Sequence, residues 1–139
     1  RLRRECPGFE KAFVTGIASQ LGITESRRMI GTRVLRREEA DKPLEGVVAR
    51  TGNWTKYGTI YDIPYGSLVP REISNLLVAG RCISVDHRAH HSTKEIPACF
   101  ATGQAAGTAA ALALREGVAP RDLDVRKLQA RLREQGAIL

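Results

Sequence analysis

From Ile96 to Leu114 the chain reads IPACFATGQAAGTAAALAL, without one charged residue. Nearly every position is a good helix former, and Pro97 suits a first helical turn. Gly103 and Gly107 are four apart, with Ala106 and Ala110 beside them. Such a helix has a face almost without side chains, open to another backbone or a flat ligand. Its N-terminus offers unpaired N–H groups and partial positive charge to electron-rich atoms. Upstream, Leu76 to Ala79 is a short apolar run between Asn75 and Gly80-Arg81, the pattern of a buried strand closed by a glycine turn. Between them lies a stretch rich in histidine and charge, expected to be an irregular linker. A strand, a glycine turn and a small-residue helix make half of a nucleotide-binding crevice in many α/β proteins.

The remaining chain supplies weaker signals. Phe9, Phe13, Ile17 and Leu21 have helical spacing, and Gly22 would stop that helix. Arg28 to Leu35 alternates enough for a strand, and REEADKPLEG reads as a short helix or a loop. The turn signals between residues 47 and 70 leave room for two short strands. A final helix within residues 119 to 136 has Asp124 as N-cap, Leu128 and Leu132 on its face, and Gly136 at its end.

The runs NLLVAGRCIS and IPACFATGQAAGTAAALA together resemble the C-terminal part of FAD-dependent oxidoreductases of the glutathione-reductase-like superfamily, and most nearly a bacterial group of them. ESRRMIG, at Glu25 to Gly31, and IPYGSLVP, at Ile63 to Pro70, resemble that group too. The resemblance implies an α/β fragment, α+β when isolated. Residues 1–66 would derive from a substrate domain, and residues 67–139 from the strand-helix end of a Rossmann-like FAD-binding domain. It implies that Gly80 and Arg81 meet the flavin ribityl-phosphate region. Ile96, Pro97 and Ala98 would lie by the pyrimidine edge, with Gly103 and Gly107 close to the cofactor. The chain departs from the pattern at Arg81, where disulfide-reductase relatives carry an acid, and at Lys94, where the closer group often has arginine.

No G-x-G-x-x-G follows a strand, so the ADP-binding fingerprint is missing. The chain therefore reads as a C-terminal fragment whose parent holds FAD and a small-molecule substrate. The missing N-terminal portion would be its partner, and the uncovered apolar face would drive self-association. The rival is a stand-alone basic binding or assembly domain without catalysis.

The net charge is +7, but the basic residues are scattered in short pairs and aromatics make up only 5% of the chain, which argues against nucleic acid. The Ala-Gly helix is too weakly hydrophobic for a membrane span. The three cysteines, Cys6, Cys82 and Cys99, have no redox or zinc spacing and suit a cytoplasmic protein. Cys82 and Cys99 read as inert and buried. A thiol near a helix N-terminus is nonetheless open to a lowered pKa at Cys99.

Side-chain chemistry gathers in two places. In VDHRAHHSTKE, His87 and His91 have the i, i+4 spacing of a metal pair, but without a helix there no metal is expected. His90 and His91 are the acid/base candidates. In ESRRMIG, Arg27 and Arg28 would clamp a substrate carboxylate or phosphate, with Lys94 as a further substrate contact. Alternatively, Glu25, Arg27 and Arg28 form an ion-paired turn tying two domains together. Trp54, Tyr57 and Tyr61 line a substrate face or belong to the core.

Overall fold

In the computed structural model, which describes residues 1–53 and 56–139, the long helix is the spine. Helix α3 spans Ile96–Glu116. Ala98, Thr102, Ala105, Ala109 and Ala113 form one buried stripe along it. That stripe packs on a two-stranded antiparallel sheet of β1, Val47–Gly52, and β2, Ile60–Pro64. The two strands fall where the turn signals placed them. Arg50 faces Asp62 across the ladder, and their side chains pair at 2.7 Å. Gly117, in the left-handed region, ends α3 with its N–H on the Ala113 and Leu114 carbonyls.

Helix α4, Val125–Glu134, buries Leu128 and Leu132 against the same core. Asp124 caps it as expected, accepting the Arg126 N–H at 2.9 Å. The Tyr65 hydroxyl donates to the Pro120 carbonyl at 2.8 Å, and burial pushes its pKa up to about 12. One hydrophobic core joins Leu35, Val48, Ile63, Leu68, Ile83, Ala109 and Leu132, so it draws on both sides of residue 66. The chain is thus mixed α and β.

Four expectations from the sequence are corrected. Residues 8–21 form no helix. Helix α1 is only Leu2–Glu5, and Phe13, Ile17 and Leu21 are exposed. Helical spacing stabilises a helix only when another surface covers its apolar face. Residues 28–35 form no strand; they make isolated bridges, Gly31 to Pro70 and Leu35 to Val85. Residues 76–79 form no strand either. Val78 donates one bond to the Leu68 carbonyl at 2.9 Å, and no ladder builds beside it. The histidine-rich linker is not irregular: His87–Thr93 is helix α2. Asp86 caps it, its Oδ1 accepting the Ala89 N–H at 2.7 Å.

Residues 29–35 therefore run as extended chain between 66–71 and 82–86. The Thr32 N–H reaches the Val69 carbonyl at 2.9 Å, and the Leu35 N–H the Ser84 carbonyl at 3.0 Å. The close approach needs Gly31. A Cβ there would stand 2.6 Å from the Gly66 carbonyl oxygen and 2.7 Å from Ser84 Cβ. Neither backbone can retreat without breaking those bonds. Gly31→Ala is expected to lose about 1–3 kcal/mol of stability, read from urea denaturation. An unchanged midpoint would show that these segments part freely.

Candidate functional site

Two of the motifs are brought together. The loop carrying Thr24, Glu25 and Arg28 lies against α2 and the short 3-10 turn Gly80–Cys82. Glu25 is the hub. Its carboxylate pairs with Arg28 Nη1 at 2.7 Å and with His87 Nδ1 at 2.9 Å. A carboxylate only accepts, so His87 Nδ1 carries the proton. That hydrogen bond, ahead of the Arg28 charge, holds the Glu25 carboxyl below its ordinary pKa, against the opposing effect of partial burial.

His90 lies beneath the cluster, only 1% exposed. Its Nε2 is 2.8 Å from the Arg81 carbonyl, so Nε2 donates and Nδ1 keeps its lone pair. Nδ1 points toward Glu25 Oε2 at 3.7 Å, without a hydrogen bond. Burial lowers the His90 pKa, while the Arg81 carbonyl and Glu25 oppose that shift. His90 is thus a neutral imidazole with an unused acceptor, spanning the distance from Arg81 to Glu25. His91 is exposed one turn further along α2, its ring edge-on to His87 at 5.4 Å between centroids. Among the described residues no three His, Cys, Asp or Glu side chains form a metal-ligating group.

Of the substrate candidates, Arg28 is taken by Glu25, and Arg27 is exposed. Lys94 Nζ donates to Thr24 Oγ1 at 3.2 Å. The ion-paired turn therefore describes Glu25 and Arg28, and its partners on α2 are histidines that sequence spacing did not connect to it. Tyr61 lies in the core and Tyr57 is fully exposed, while Trp54 lies outside the described residues.

The cofactor candidates also converge. Gly80 sits at φ +75, which favours glycine. Its N–H donates to Thr102 Oγ1 at 3.0 Å, and the same hydroxyl donates back to the Ala98 carbonyl at 2.8 Å. Thr102, unnoticed in the sequence, pins the Gly80-Arg81 turn to the second turn of α3. Arg81 Nη1 reaches the Ile23 carbonyl at 3.4 Å. Glu95 at the N-cap of α3 makes no side-chain cap bond, Ile96 and Pro97 are exposed, and Ala98 is buried. Gly103 and Gly107 face open space, where a Cβ would meet nothing within 4 Å. Cys99 donates its thiol to the Lys94 carbonyl at 3.3 Å, and burial raises its pKa, so it is no activated nucleophile. Cys82 is exposed, not buried as expected; its thiol faces only the Ala79 carbonyl.

An open cavity of about 900 Å³, lined by Arg1, Phe9, Phe13 and their neighbours, touches none of these residues. Among the described residues no helix is long and apolar enough to cross a membrane.

A left-handed glycine turn is held against a long small-residue helix, without the strand that completes a nucleotide-binding half-crevice. A family model described as FAD dependent oxidoreductase matches residues 1–132, and the chain belongs to that family. No curated protein and no solved structure matches it.

The Glu25 hub makes a pH prediction. Its folded pKa is depressed, so its stabilisation is complete above the unfolded value of about 4.3 and is lost as pH falls through the folded value. Glu25→Gln is expected to be about 1 kcal/mol less stable than the parent sequence at neutral pH. That gap should close in acid, measured by urea denaturation at successive pH values. A gap that persists unchanged in acid would assign the loss to packing.

Proposed function

We propose that this chain is the C-terminal part of an FAD-dependent oxidoreductase, carrying one wall of the flavin crevice and one edge of the substrate cleft. The family match supports the class of enzyme. The observation that carries the local reading is the second face of α3. Ile96, Phe100 and Leu114 are 69%, 75% and 84% exposed there, in line with Gly103 and Gly107. A helix apolar on both faces is built to be covered on both. The N-terminal FAD-binding portion and the cofactor are the occupants proposed for this face. Without them, the same stripe would promote self-association.

The residues fit FAD. The first turn of α3 has no side-chain cap, Gly80 fixes a left-handed turn beside it, and Gly103 and Gly107 leave open space. Gly80 and Arg81 would hold the ribityl-phosphate region. The amides at Ile96 and Ala98 would meet the pyrimidine edge, where the helix N-terminus favours electron-rich atoms. When bound, the flavin supplies hydride or electron transfer. The chain's own residues orient and exclude. Thr102 fixes the glycine turn, and Glu25 with Arg28 and His87 locks the loop 23–28 over α2. His90 holds its proton on Nε2 at the Arg81 carbonyl, leaving Nδ1 as an acceptor beside Glu25. Arg27, Lys94 and His91 are proposed as contacts to the small-molecule substrate. Residues 1–66 and 67–139 are assigned to the substrate and FAD-binding domains of the parent, in the cytoplasm.

Titration of the pure chain with FAD, followed by flavin fluorescence, is expected to give binding weaker than about 1 µM, because half a crevice leaves most contacts unmade. Submicromolar affinity would overturn the fragment reading. In a longer protein that supplies the dinucleotide fingerprint, Gly103→Leu is expected to abolish flavin loading. A normal yellow holoprotein would instead turn that glycine toward solvent.

A further inference from the structure

We propose that the cleft bounded by Arg37, Tyr61, Arg88 and His91 is a binding subsite for a small oxyanion, a phosphate or carboxylate group. It lies on α2 beside the Glu25 cluster, and it does not depend on the flavin reading.

The cleft has a volume of about 150 Å³. That equals about five waters at ~30 Å³ each, room for one oxyanion and a water or two but not for a nucleotide. Three separate parts of the chain build it. Arg37 opens the single 3-10 turn Arg37–Glu39, Tyr61 comes from β2, and Arg88 and His91 stand three apart on α2. One carboxylate fixes the walls together. Asp86 Oδ2 accepts the Arg37 backbone N–H at 2.8 Å, while its Oδ1 caps α2. Both oxygens accept backbone N–H groups, and among the described residues neither pairs with the Arg37 or Arg88 guanidinium.

Arg28, Arg33, Arg50 and Arg131 are each paired with a carboxylate. Among the described residues, the side chains of Arg37 and Arg88 have no ion pair, yet both line this cleft. An oxyanion bound between two guanidinium groups accepts charge-assisted hydrogen bonds from both. Tyr61, a residue only 1% exposed, lines the cleft and adds a hydroxyl donor. Burial and the nearby Asp86, Glu38 and Asp41 charges, against Arg37, raise its pKa, so the phenol stays protonated. A protonated hydroxyl, an imidazole N–H and two guanidinium forks all donate, and an oxyanion accepts from all of them.

The test is a titration of the chain with inorganic phosphate, acetate and chloride at constant pH and ionic strength. The ring signals of His91 and Tyr61 are followed by NMR. Saturable shifts with a midpoint of about 1–10 mM are expected for phosphate or acetate and not for chloride. Tighter binding of phosphate would point to a phosphoryl ligand, and tighter binding of acetate to a carboxylate. Arg88→Gln should weaken the midpoint about tenfold or more, the equivalent of one charge-assisted contact. Tyr61→Phe should weaken it while leaving the fold intact, and Arg126→Gln, distant on α4, should leave it unchanged. If Arg88→Gln disturbs amide signals beyond its neighbours, Arg37→Gln takes its place. Shifts that chloride reproduces, that never saturate, or that survive both arginine changes would overturn the subsite.

Discussion

The structure depends on how closely α3 approaches β1. A two-stranded sheet is marginal by itself in water, so β1 and β2 persist because a helix covers one of their faces. The covering stripe is Ala98, Thr102, Ala105, Ala109 and Ala113. Each alanine buries little area, at about 25 cal/mol per Å², so the contact is effective only if it is close and continuous. Larger side chains there would hold helix and sheet apart. Once α3 is seated, Thr102 lies where it can hold Gly80, and α4 closes over Leu128 and Leu132. Helix α2 ends two residues before Ile96, so it is carried with α3 into position over the core.

The polar side of the molecule follows from that placement. Helix α2 presents His87 and His90 toward Glu25, and Arg88 and His91 toward Arg37 and Tyr61. One short helix thus carries both a cluster neutralised by its own carboxylate and a cleft whose two arginines make no ion pair among the described residues. Asp86 serves both, since its two oxygens cap α2 and anchor the Arg37 turn. A buried imidazole with one unused nitrogen is costly unless its surroundings give that nitrogen a task. His90 sits between the Arg81 turn, proposed for the cofactor, and the Glu25 loop, proposed for the substrate edge.

The outer stripe of α3 bears on the same point. Its buried face is occupied by β1, and its outer face carries Phe100 and Leu114 into solvent beside two glycines that nothing approaches. A globular chain gains nothing from such a face unless another surface meets it. The cofactor and the domain that holds it are the occupants proposed for that face in a member of the FAD-dependent oxidoreductase family.

Where local chemistry suffices, the sequence by itself determined the outcome. The uninterrupted Ala-Gly run made α3, Asp124 and Gly136 bounded α4, and the turn signals around residues 53 to 58 set two strands apart. These are decided by caps, propensities and turns within a few residues. The tertiary structure decided the rest. Phe9, Phe13, Ile17 and Leu21 have the spacing of a helix, but no surface covers them, and spacing alone does not order a chain. Leu76 to Ala79 has the composition of a strand, but a strand exists only through its neighbours, and here Leu68 offers a single bond. The histidine stretch looked irregular by composition, yet its Asp86 cap and the burial of Ala89 and His90 make it helical. Glu25 and His87 are 62 residues apart, and Arg37 and Asp86 49. No local pattern records such meetings; they arise because packing α3 on β1 fixes where the distant loops must pass.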